Sequence, residues 1–212
     1  MKIKDKVRSA ILSRTTEKVN QKIGIELETI IHTNNYNRLP VDEEGTFSSV
    51  DLLRLFNDKQ NDNGSYSLEP GGQLEWASPP FVDLNELQSS LELFCNQLDL
   101  VLNSKKLTLI NYALDPKFSP DEVGLINEKK YRLMDEYMSQ SGSMGKWMMR
   151  NTASIQINLD TTGPENMEVI AFISDCINPI ASYLFANSPF KQLNPTGVQN
   201  VRQLIWNDTD QF

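Results

Sequence analysis

A short alternating segment, Ile23 to Glu28, constrains the fold of this chain more than any other feature of its sequence. Isoleucine or leucine at positions 23, 25 and 27 alternates with glycine or glutamate at positions 24, 26 and 28. This two-residue period is typical of a β-strand with one apolar and one polar face. Glu26 and Glu28 are therefore predicted to share the face opposite the apolar side chains.

A second pair of glutamates surrounds a turn further along the chain. Glu69 precedes Pro70-Gly71-Gly72 and Glu75 follows it, with no lysine or arginine between them. This pattern predicts a β-hairpin over residues 67–77. Carboxylates held close together repel unless a cation joins them, and oxygen ligands suit Mg²⁺ or Mn²⁺. The two pairs are thus candidate metal ligands, although an ordinary solvated strand face has the same spacing.

A third alternating segment spans Thr152 to Asp160. Its polar members are Thr152, Ser154, Gln156, Asn158 and Asp160, and its apolar members are Ala153, Ile155, Ile157 and Leu159. We expect the apolar side to pack against helices and the polar side to form the wall of a wet cavity. An exposed outer face of a sheet is the alternative interpretation of the same pattern.

The rest of the chain alternates helical periods with short extended segments. The patterns predict helices over 5–18, 49–56, 83–101, 130–139 and 165–187, a strand over 107–114 and a loop over 141–149. Together they indicate an α+β fold in which a mainly antiparallel sheet lines the site and helices pack outside it. With 212 residues and 39% hydrophobic content, we expect a single domain over residues 1–212.

Composition excludes several classes of function. The net charge is −8 and the basic residues are scattered, which argues against a nucleic-acid partner. No apolar run is expected to span a bilayer, and no apolar signal region follows the basic start. The sequence therefore predicts a cytoplasmic protein without a membrane partner.

The two cysteines and the single histidine could carry chemistry, but their sequence context favours structural roles. Cys95 and Cys176 lie in helical patterns and are predicted to be buried and reduced. His32, the only histidine, follows the first strand with no nucleophile nearby. A surface or turn position is favoured over a catalytic base, and replacing His32 is expected to change little.

Several motifs along the chain occur together in a characteristic order. They are Gly24–Glu28, Ser67–Glu75, Tyr131–Met134, Met148–Met149, Gln156–Asp160, Leu184–Phe190, and Arg202 through Trp206 to Asp208-Thr209-Asp210. In this order they resemble glutamate–cysteine ligase of the type shared by plants and many bacteria. The resemblance runs from about residue 20 to the last residue, and it strengthens the metal-site interpretation.

The resemblance implies a glutamine-synthetase-like catalytic fold, here incomplete, and an ATP-dependent ligase. Such an enzyme joins the side-chain carboxylate of glutamate to the amine of cysteine through a γ-glutamyl phosphate, the first step of glutathione biosynthesis. Mg²⁺ or Mn²⁺ is the implied cofactor and ATP the co-substrate. The metal ligands implied by position are Glu26, Glu28, Glu69, Glu75 and Gln156. The implied catalytic residues are Glu26, Glu28 and Arg202, and the implied substrate or nucleotide contacts are Gln156, Asn158 and Trp206.

Two departures from the family pattern concern arginines. In relatives, an arginine expected to hold glutamate follows Trp-x-Asp-Thr-Asp almost at once, whereas this chain ends at Gln211-Phe212. Relatives also commonly place an arginine after Met-Met-x, where Asn151 stands here and Arg150 comes one place early. Either difference is expected to weaken substrate binding.

Three interpretations remain open from the sequence. The favoured one is the N-terminal portion of a ligase site that needs a C-terminal half or a second subunit for activity. The second is a non-catalytic or regulatory subunit that binds Mg–ATP. The third is a hydrolase whose paired glutamates serve as acid and base, which requires a raised carboxyl pKa but no divalent ion.

Overall fold

The chain folds as a mixture of helices and antiparallel strands. The structure is a computed structural model that describes residues 2–59 and 63–209. The helices are α1 (Ile3–Leu12), α2 (Ser49–Lys59), α3 (Leu84–Lys105), α4 (Lys129–Ser141), α5 (Gly145–Asn151), α6 (Pro164–Leu184) and α7 (Val201–Asn207). The strands are β1 (Ile23–Thr33), β2 (Ser65–Leu68), β3 (Leu74–Ala77), β4 (Leu107–Ile110), β5 (Ile155–Leu159), β6 (Phe190–Lys191) and β7 (Asn194–Pro195). The predicted α+β class is confirmed.

Strand β1 is the centre of the main sheet. It pairs antiparallel with β3 along one side, and with β5 and then β4 along the other. Strand β2 completes the hairpin beyond β3, as predicted. The register sets Glu28 opposite Glu75 and Glu26 opposite Gln156. The polar positions of three strands therefore meet on one face of the sheet.

The apolar face of the hairpin and of β1 packs against α2 and α3. Trp76 is fully buried there, and its ring stacks on that of Phe94 at 4.7 Å between centroids. Phe56 from α2 and Tyr66 from β2 extend the aromatic cluster. Burial of such large rings is a major source of stability. Helices α2 and α3 thus cover the apolar face of β1 and β3 and leave the opposite face, which carries the glutamates, uncovered by these two helices.

One helix occupies a segment that is predicted to be irregular, and another occupies a segment without a predicted element. The predicted loop over 141–149 contains most of α5, and α7 overlaps the motif that begins at Arg202. The two helices share a small core in which Trp147 and Met148 pack with Val201 and Ile205. Neither segment has a long apolar period of its own, so tertiary packing decides its helical state. The first helix also ends at Leu12 rather than at residue 18.

His32 is buried, so its assignment to the surface is wrong. It lies within β1 with 1% of its side chain exposed, and its Nε2 lies 2.8 Å from Oδ2 of Asp115. Strand β1 continues past the predicted end because the chain reverses after Thr33 and bridges back, pairing His32 with Arg38. The expectation that a replacement of His32 changes little loses its basis.

The two cysteines are exposed rather than buried, which corrects the second structural assignment. Both are free thiols. Cys95 lies beside Phe94 on α3, but the buried stripe of this helix runs through Leu87, Phe94 and Leu98 and leaves Cys95 on the other side. Cys176 lies on α6, where no residue is buried.

Helix α6 and strand β5 present a wide apolar surface. Helix α6 has 21 residues and a mean hydropathy of 1.2, so by length and composition alone it is able to span a bilayer. The prediction that no segment reaches this length is therefore wrong, although buried helices of soluble proteins meet the same criterion. On β5, Ile155 and Ile157 are 68% and 65% exposed. The predicted helical cover of the apolar side of this strand is not present among the described residues.

Candidate metal centre

Three glutamates converge on the polar face of the sheet. One carboxylate oxygen from each of Glu28, Glu69 and Glu75 lies within 4.8 Å of the others. Glu28 and Glu75 come together because they are opposite one another on neighbouring antiparallel strands. Glu69 joins them from the turn between β2 and β3. We call these three residues the carboxylate triad.

The turn that carries Glu69 is closed by two backbone hydrogen bonds. The Glu69 amide donates to the carbonyl of Gln73 at 2.9 Å, and the Gly72 amide donates to the carbonyl of Glu69 at 2.8 Å. Gly72 has φ of +78°, in the left-handed region that glycine adopts without strain. The Pro-Gly-Gly sequence therefore serves the tight reversal that returns the chain towards Glu75.

Side-chain and backbone donors orient two members of the triad. Glu28 accepts bonds on both oxygens, from the Ser154 amide and from Nε2 of Gln156, each at 2.9 Å. Glu75 accepts a bond from Oγ of Ser67 at 2.7 Å. Such partners restrict the rotamers of metal-binding carboxylates and so prepare a site for a cation. The polar side chains Gln156 and Asn158 of β5 thus lie on the same face of the sheet as the glutamates of β1, and β5 itself is exposed throughout its length.

Glu26, the fourth predicted ligand, lies outside the triad. It occupies the same face of β1 as Glu28, and its Oε1 accepts a hydrogen bond from Nδ2 of Asn158 at 2.8 Å. Asn158 and Gln156 therefore pair with the two β1 glutamates in order along β5. Metal binding by Glu26 and Gln156 stays a prediction, whereas the structure itself brings together only Glu28, Glu69 and Glu75 among the described residues.

Burial and the charges of neighbouring glutamates oppose the ionisation of two members of the triad, Glu28 and Glu69. Burial, reinforced by the charges of Glu28 and Glu75, raises the pKa of Glu69 to about 7. Burial also raises the pKa of Glu28, although the hydrogen bonds from Ser154 and the charge of Arg202 oppose this rise. A divalent cation would relieve both effects by supplying the opposing charge. The donor set, three carboxylates, suits a hard cation such as Mg²⁺ or Mn²⁺.

The raised pKa of Glu69 predicts a pH dependence of stability. Because the folded chain holds this proton more tightly than the unfolded chain, the free energy of unfolding should fall as pH rises from 4.5 to about 7. We expect Glu69→Gln to remove about 1–3 kcal/mol of that fall. Urea unfolding of both proteins at pH 5 and pH 8, without divalent ions, measures the difference. Parallel profiles for the two proteins would contradict the assigned electrostatics.

Helix α7 places Arg202 near the triad. Its first turn is attached to the loop before it, since the Arg202 amide donates to Oγ of Ser188 at 3.0 Å. The Arg202 charge acts on Glu28, and its guanidinium lies 5.5 Å from the ring centroid of Trp206, which is partly exposed. Nε of Arg202 is buried without a hydrogen-bond partner among the described residues. Asp210 of the same motif lies outside the described residues.

The early arginine of the Met-Met motif has a structural role. Arg150 donates to Oδ1 of Asp135 through Nε at 3.1 Å and through Nη2 at 2.6 Å, and to the carbonyls of Pro120 and Val123. Asn151, at the position where relatives commonly have arginine, is buried and donates to the carbonyl of Phe118 at 2.9 Å. Neither residue is among the partners that the structure gives to the carboxylate triad.

The sequence missed the residues that support the triad. Ser67 and Ser154 were visible only as polar positions in alternating strands, which is a weak signal. Gln73 is buried, and its Nε2 donates to the carbonyl of Thr152 at 2.7 Å, a contact that joins distant segments. No local pattern identifies Arg38, which contacts the carbonyl of Gly71 in the turn, or Asp115, which binds Arg38.

Comparison of the sequence with known proteins identifies the family. The sequence model of glutamate-cysteine ligase family 2 (GCS2) matches residues 22–212. Glutamate–cysteine ligase A of Oryza sativa subsp. indica is 28% identical over 196 residues, which cover 90% of this chain and 40% of that protein. The Medicago truncatula glutamate–cysteine ligase is 33% identical over 69% of this chain, and the Nicotiana tabacum protein 31% over 80%. All three relatives are named as chloroplastic.

The family match includes all the strands that bear the carboxylates. This chain spans 40% of the rice relative, 29% of the Medicago relative and 32% of the tobacco relative. The match nevertheless covers β1 to α7 without interruption. On this basis the chain belongs to glutamate-cysteine ligase family 2.

Proposed function

We propose that this chain forms the metal-binding portion of an ATP-dependent ligase that joins L-glutamate to L-cysteine. The product is γ-glutamylcysteine, the first intermediate of glutathione biosynthesis. The observation that carries the proposal is the convergence of Glu28, Glu69 and Glu75 within 4.8 Å on the strands that match the family. A hydrolase mechanism could take its acid from Glu69, whose pKa is raised to about 7, but it is less well supported because the chain belongs to a family of ligases.

The proposed site divides its residues between metal and substrates. Glu28, Glu69 and Glu75 would hold Mg²⁺ or Mn²⁺, and Glu26 extends this acidic surface along β1. Gln156 and Asn158 orient the β1 glutamates and border the nucleotide, while Arg202 and Trp206 border the substrate from α7. A bound divalent ion would neutralise the phosphates of ATP and the charge that develops as phosphate is transferred.

The proposed reaction has two steps. An oxygen of the glutamate side-chain carboxylate attacks the γ-phosphorus of ATP, so that ADP leaves and an acyl phosphate forms. The amine of cysteine then attacks the acyl carbon, phosphate leaves and the amine loses a proton. Arg202 supplies positive charge beside the acidic cluster, and Glu28 remains ionised more readily because that charge is near. Proximity and charge compensation account for most catalysis of phosphoryl transfer.

The proposed ligase also needs a complementary polypeptide, equivalent to the part of the relatives that this chain does not match. Helix α6 has no buried residue, and its side chains Phe172 and Ile180 are 69% and 58% exposed. The apolar side of β5 is exposed as well. Apolar surface of this extent is typical of an interface and is costly to leave in water. We propose that the complementary half covers it in the cytoplasm.

Phosphate release from ATP tests the proposed function. The assay contains glutamate, cysteine and Mg²⁺, with the chain alone and then with the C-terminal half of the tobacco relative added. We expect activity only in the mixture, because the described residues hold the acidic cluster but the relatives are much longer. Omission of cysteine or of Mg²⁺ should abolish it.

The other outcomes of this assay distinguish the alternatives. Activity of the chain alone would contradict the need for a complementary polypeptide. Binding of Mg–ATP without turnover in either sample would favour the regulatory or binding subunit. Phosphate release that needs no divalent ion would support a hydrolase instead. As a matched control, Glu44→Gln alters an exposed loop glutamate and should leave the activity of the mixture unchanged.

A further inference from the structure

A buried cluster of charged and polar side chains lies beside the turn that carries Glu69. Its members are His32 on β1, Arg38 after the chain reversal, and Asp115 after β4. The Arg38 side chain is 7% exposed, and Asp115 is fully buried. His32 lies four residues after Glu28 on β1, so strand alternation places both on one face. The cluster therefore lies on the face of the sheet that carries the triad and not on the face that packs against the apolar core.

Asp115 holds the cluster together. Its Oδ2 lies 2.8 Å from Nε2 of His32 and accepts a bond from Nη1 of Arg38 at 2.9 Å. Its Oδ1 accepts bonds from the amides of Lys117 and Phe118. Although burial raises the pKa of Asp115, the bond with His32 and the charge of Arg38 bring it down to about 2. The carboxylate is thus ionised and fixes the guanidinium in one orientation.

The second terminal nitrogen of Arg38, Nη2, contacts the 69–73 turn. Nη2 donates to the carbonyl of Gly71 at 3.1 Å and to the carbonyl of Arg150 at 3.3 Å. Gly71 is in the centre of the turn, between Glu69 and Gln73. The guanidinium therefore joins three chain segments, since the same side chain binds the carboxylate of Asp115. A lysine ammonium has no planar fork and is poorly suited to all three acceptors.

A second contact fastens the other end of the turn to the same segment. Nε2 of Gln73 donates to the carbonyls of Thr152 at 2.7 Å and Met149 at 3.4 Å. The chain continues from Thr152 to Ser154, whose amide donates to Glu28. The turn and Glu28 thus both contact one backbone segment, residues 149–154. Arg38 and Gln73 make the contacts between the turn and this segment.

We propose that Arg38, oriented by Asp115 and His32, is a positioning residue that fixes the 69–73 turn so that Glu69 meets Glu28 and Glu75. This inference rests on the proposed function for the role of the triad in binding a cation. The supporting observation is that the guanidinium of Arg38 donates through Nη1 to the Asp115 carboxylate and through Nη2 to the carbonyls of Gly71 and Arg150. Outer-shell hydrogen-bond partners of metal ligands typically change metal affinity about 10–100-fold when they are replaced, and Arg38 supports the turn that carries one member of the triad.

The test compares Arg38→Lys with the wild-type chain by two readouts. Amide hydrogen exchange reports the turn through the Glu69 and Gly72 amides, and titration with Mn²⁺ followed by electron paramagnetic resonance reports the triad. We expect exchange of these two amides to rise about tenfold or more, and Mn²⁺ affinity to fall about tenfold. Amides of the α3 helix should keep their wild-type protection. The matched control is Arg54→Lys, which alters an exposed arginine on α2.

Particular results would overturn this role. Unchanged exchange at the turn, or an equal rise at the turn and in α3, would show that Arg38 only supports the fold in general. If the wild-type chain does not bind Mn²⁺ but Arg38→Lys still loosens the turn selectively, the positioning role stands and the metal assignment fails. The two hypotheses are therefore separated by the same pair of measurements.

A second pair of variants decides the question if Arg38→Lys does not fold. His32→Gln keeps a side-chain nitrogen able to donate to Asp115, whereas His32→Leu removes it. We expect His32→Leu to raise exchange of the turn amides and His32→Gln to restore values close to wild type. Equal exchange at the turn in the two variants would overturn the role of His32 in orienting Arg38 through Asp115.

Discussion

Replacing Glu75 with glutamine is expected to weaken Mn²⁺ binding about tenfold or more, which corresponds to at least about 1.4 kcal/mol of binding free energy. Glu75 supplies one of three converging carboxylates, and its hydrogen bond from Ser67 holds that group in place. Glutamine has nearly the same shape but lacks the charge. Titration of the purified chain with Mn²⁺, followed by electron paramagnetic resonance, gives the affinity.

The same substitution should not harm the fold without metal. It removes one of the charges that repel Glu69, so the melting temperature in the presence of a chelator should be equal to or above that of the wild type. Glu44→Gln, on an exposed loop, is the matched control for both measurements. Normal Mn²⁺ affinity of Glu75→Gln would show that the triad is not the metal site.

The Mn²⁺ affinity of Glu26→Gln distinguishes a metal site of three carboxylates from one of four. Glu26 is bonded to Asn158 and lies outside the triad, so the described geometry predicts a smaller loss of affinity than for Glu75→Gln. An equal loss would restore the sequence-based prediction that both glutamates of β1 bind the metal.

Gly71→Ala is expected to lower the free energy of unfolding by about 2–3 kcal/mol and the melting temperature by about 5–10 °C. A Cβ at this position would overlap the backbone of Arg150, which cannot move as a flexible side chain can. The φ of Gly71 is not in the left-handed region, so the cost arises from the close approach of two chain segments. Urea and thermal unfolding measure the effect.

Gly163→Ala provides the control for the loss of a glycine. A Cβ there would meet only Oε2 of Glu165, at 3.9 Å, before the start of α6. We expect its stability to lie within about 0.5 kcal/mol of the wild type. Equal effects of the two substitutions would show that the contact with the Arg150 backbone does not explain the loss at Gly71.

Strand β1 and the β2–β3 hairpin could be predicted because their sequence patterns repeat over only two residues or mark a single turn. Alternation from Ile23 to Glu28 identified β1 and the face of its glutamates, and the Pro-Gly-Gly turn identified the β2–β3 hairpin. Both follow from backbone geometry, which repeats every two residues in a strand and requires glycine at a tight reversal. The family resemblance depended on the same motifs, and the family match confirmed it.

Other parts of the fold depended on packing between distant segments. Helices α5 and α7 have 7 residues each, too few for a stable isolated helix, and they pack against each other through Trp147 and Ile205. The burial of His32 depended on a chain reversal that brings Arg38 back beside it. The exposure of Cys95 depended on which side of α3 faces the sheet. None of these outcomes is encoded in a local period.

By itself, the sequence determined the strands, the turn and the acidic residues that they carry, because these follow from local steric and hydrogen-bonding rules. Only the tertiary structure decided which carboxylates meet, since pairing of β1 with β3 sets Glu28 opposite Glu75 and leaves Glu26 beside Asn158. It also decided the electrostatics, because burial and neighbouring charges raise the pKa of Glu69. The buried fork of Arg38 joins residues far apart in the chain, and such contacts exist only once the fold has formed.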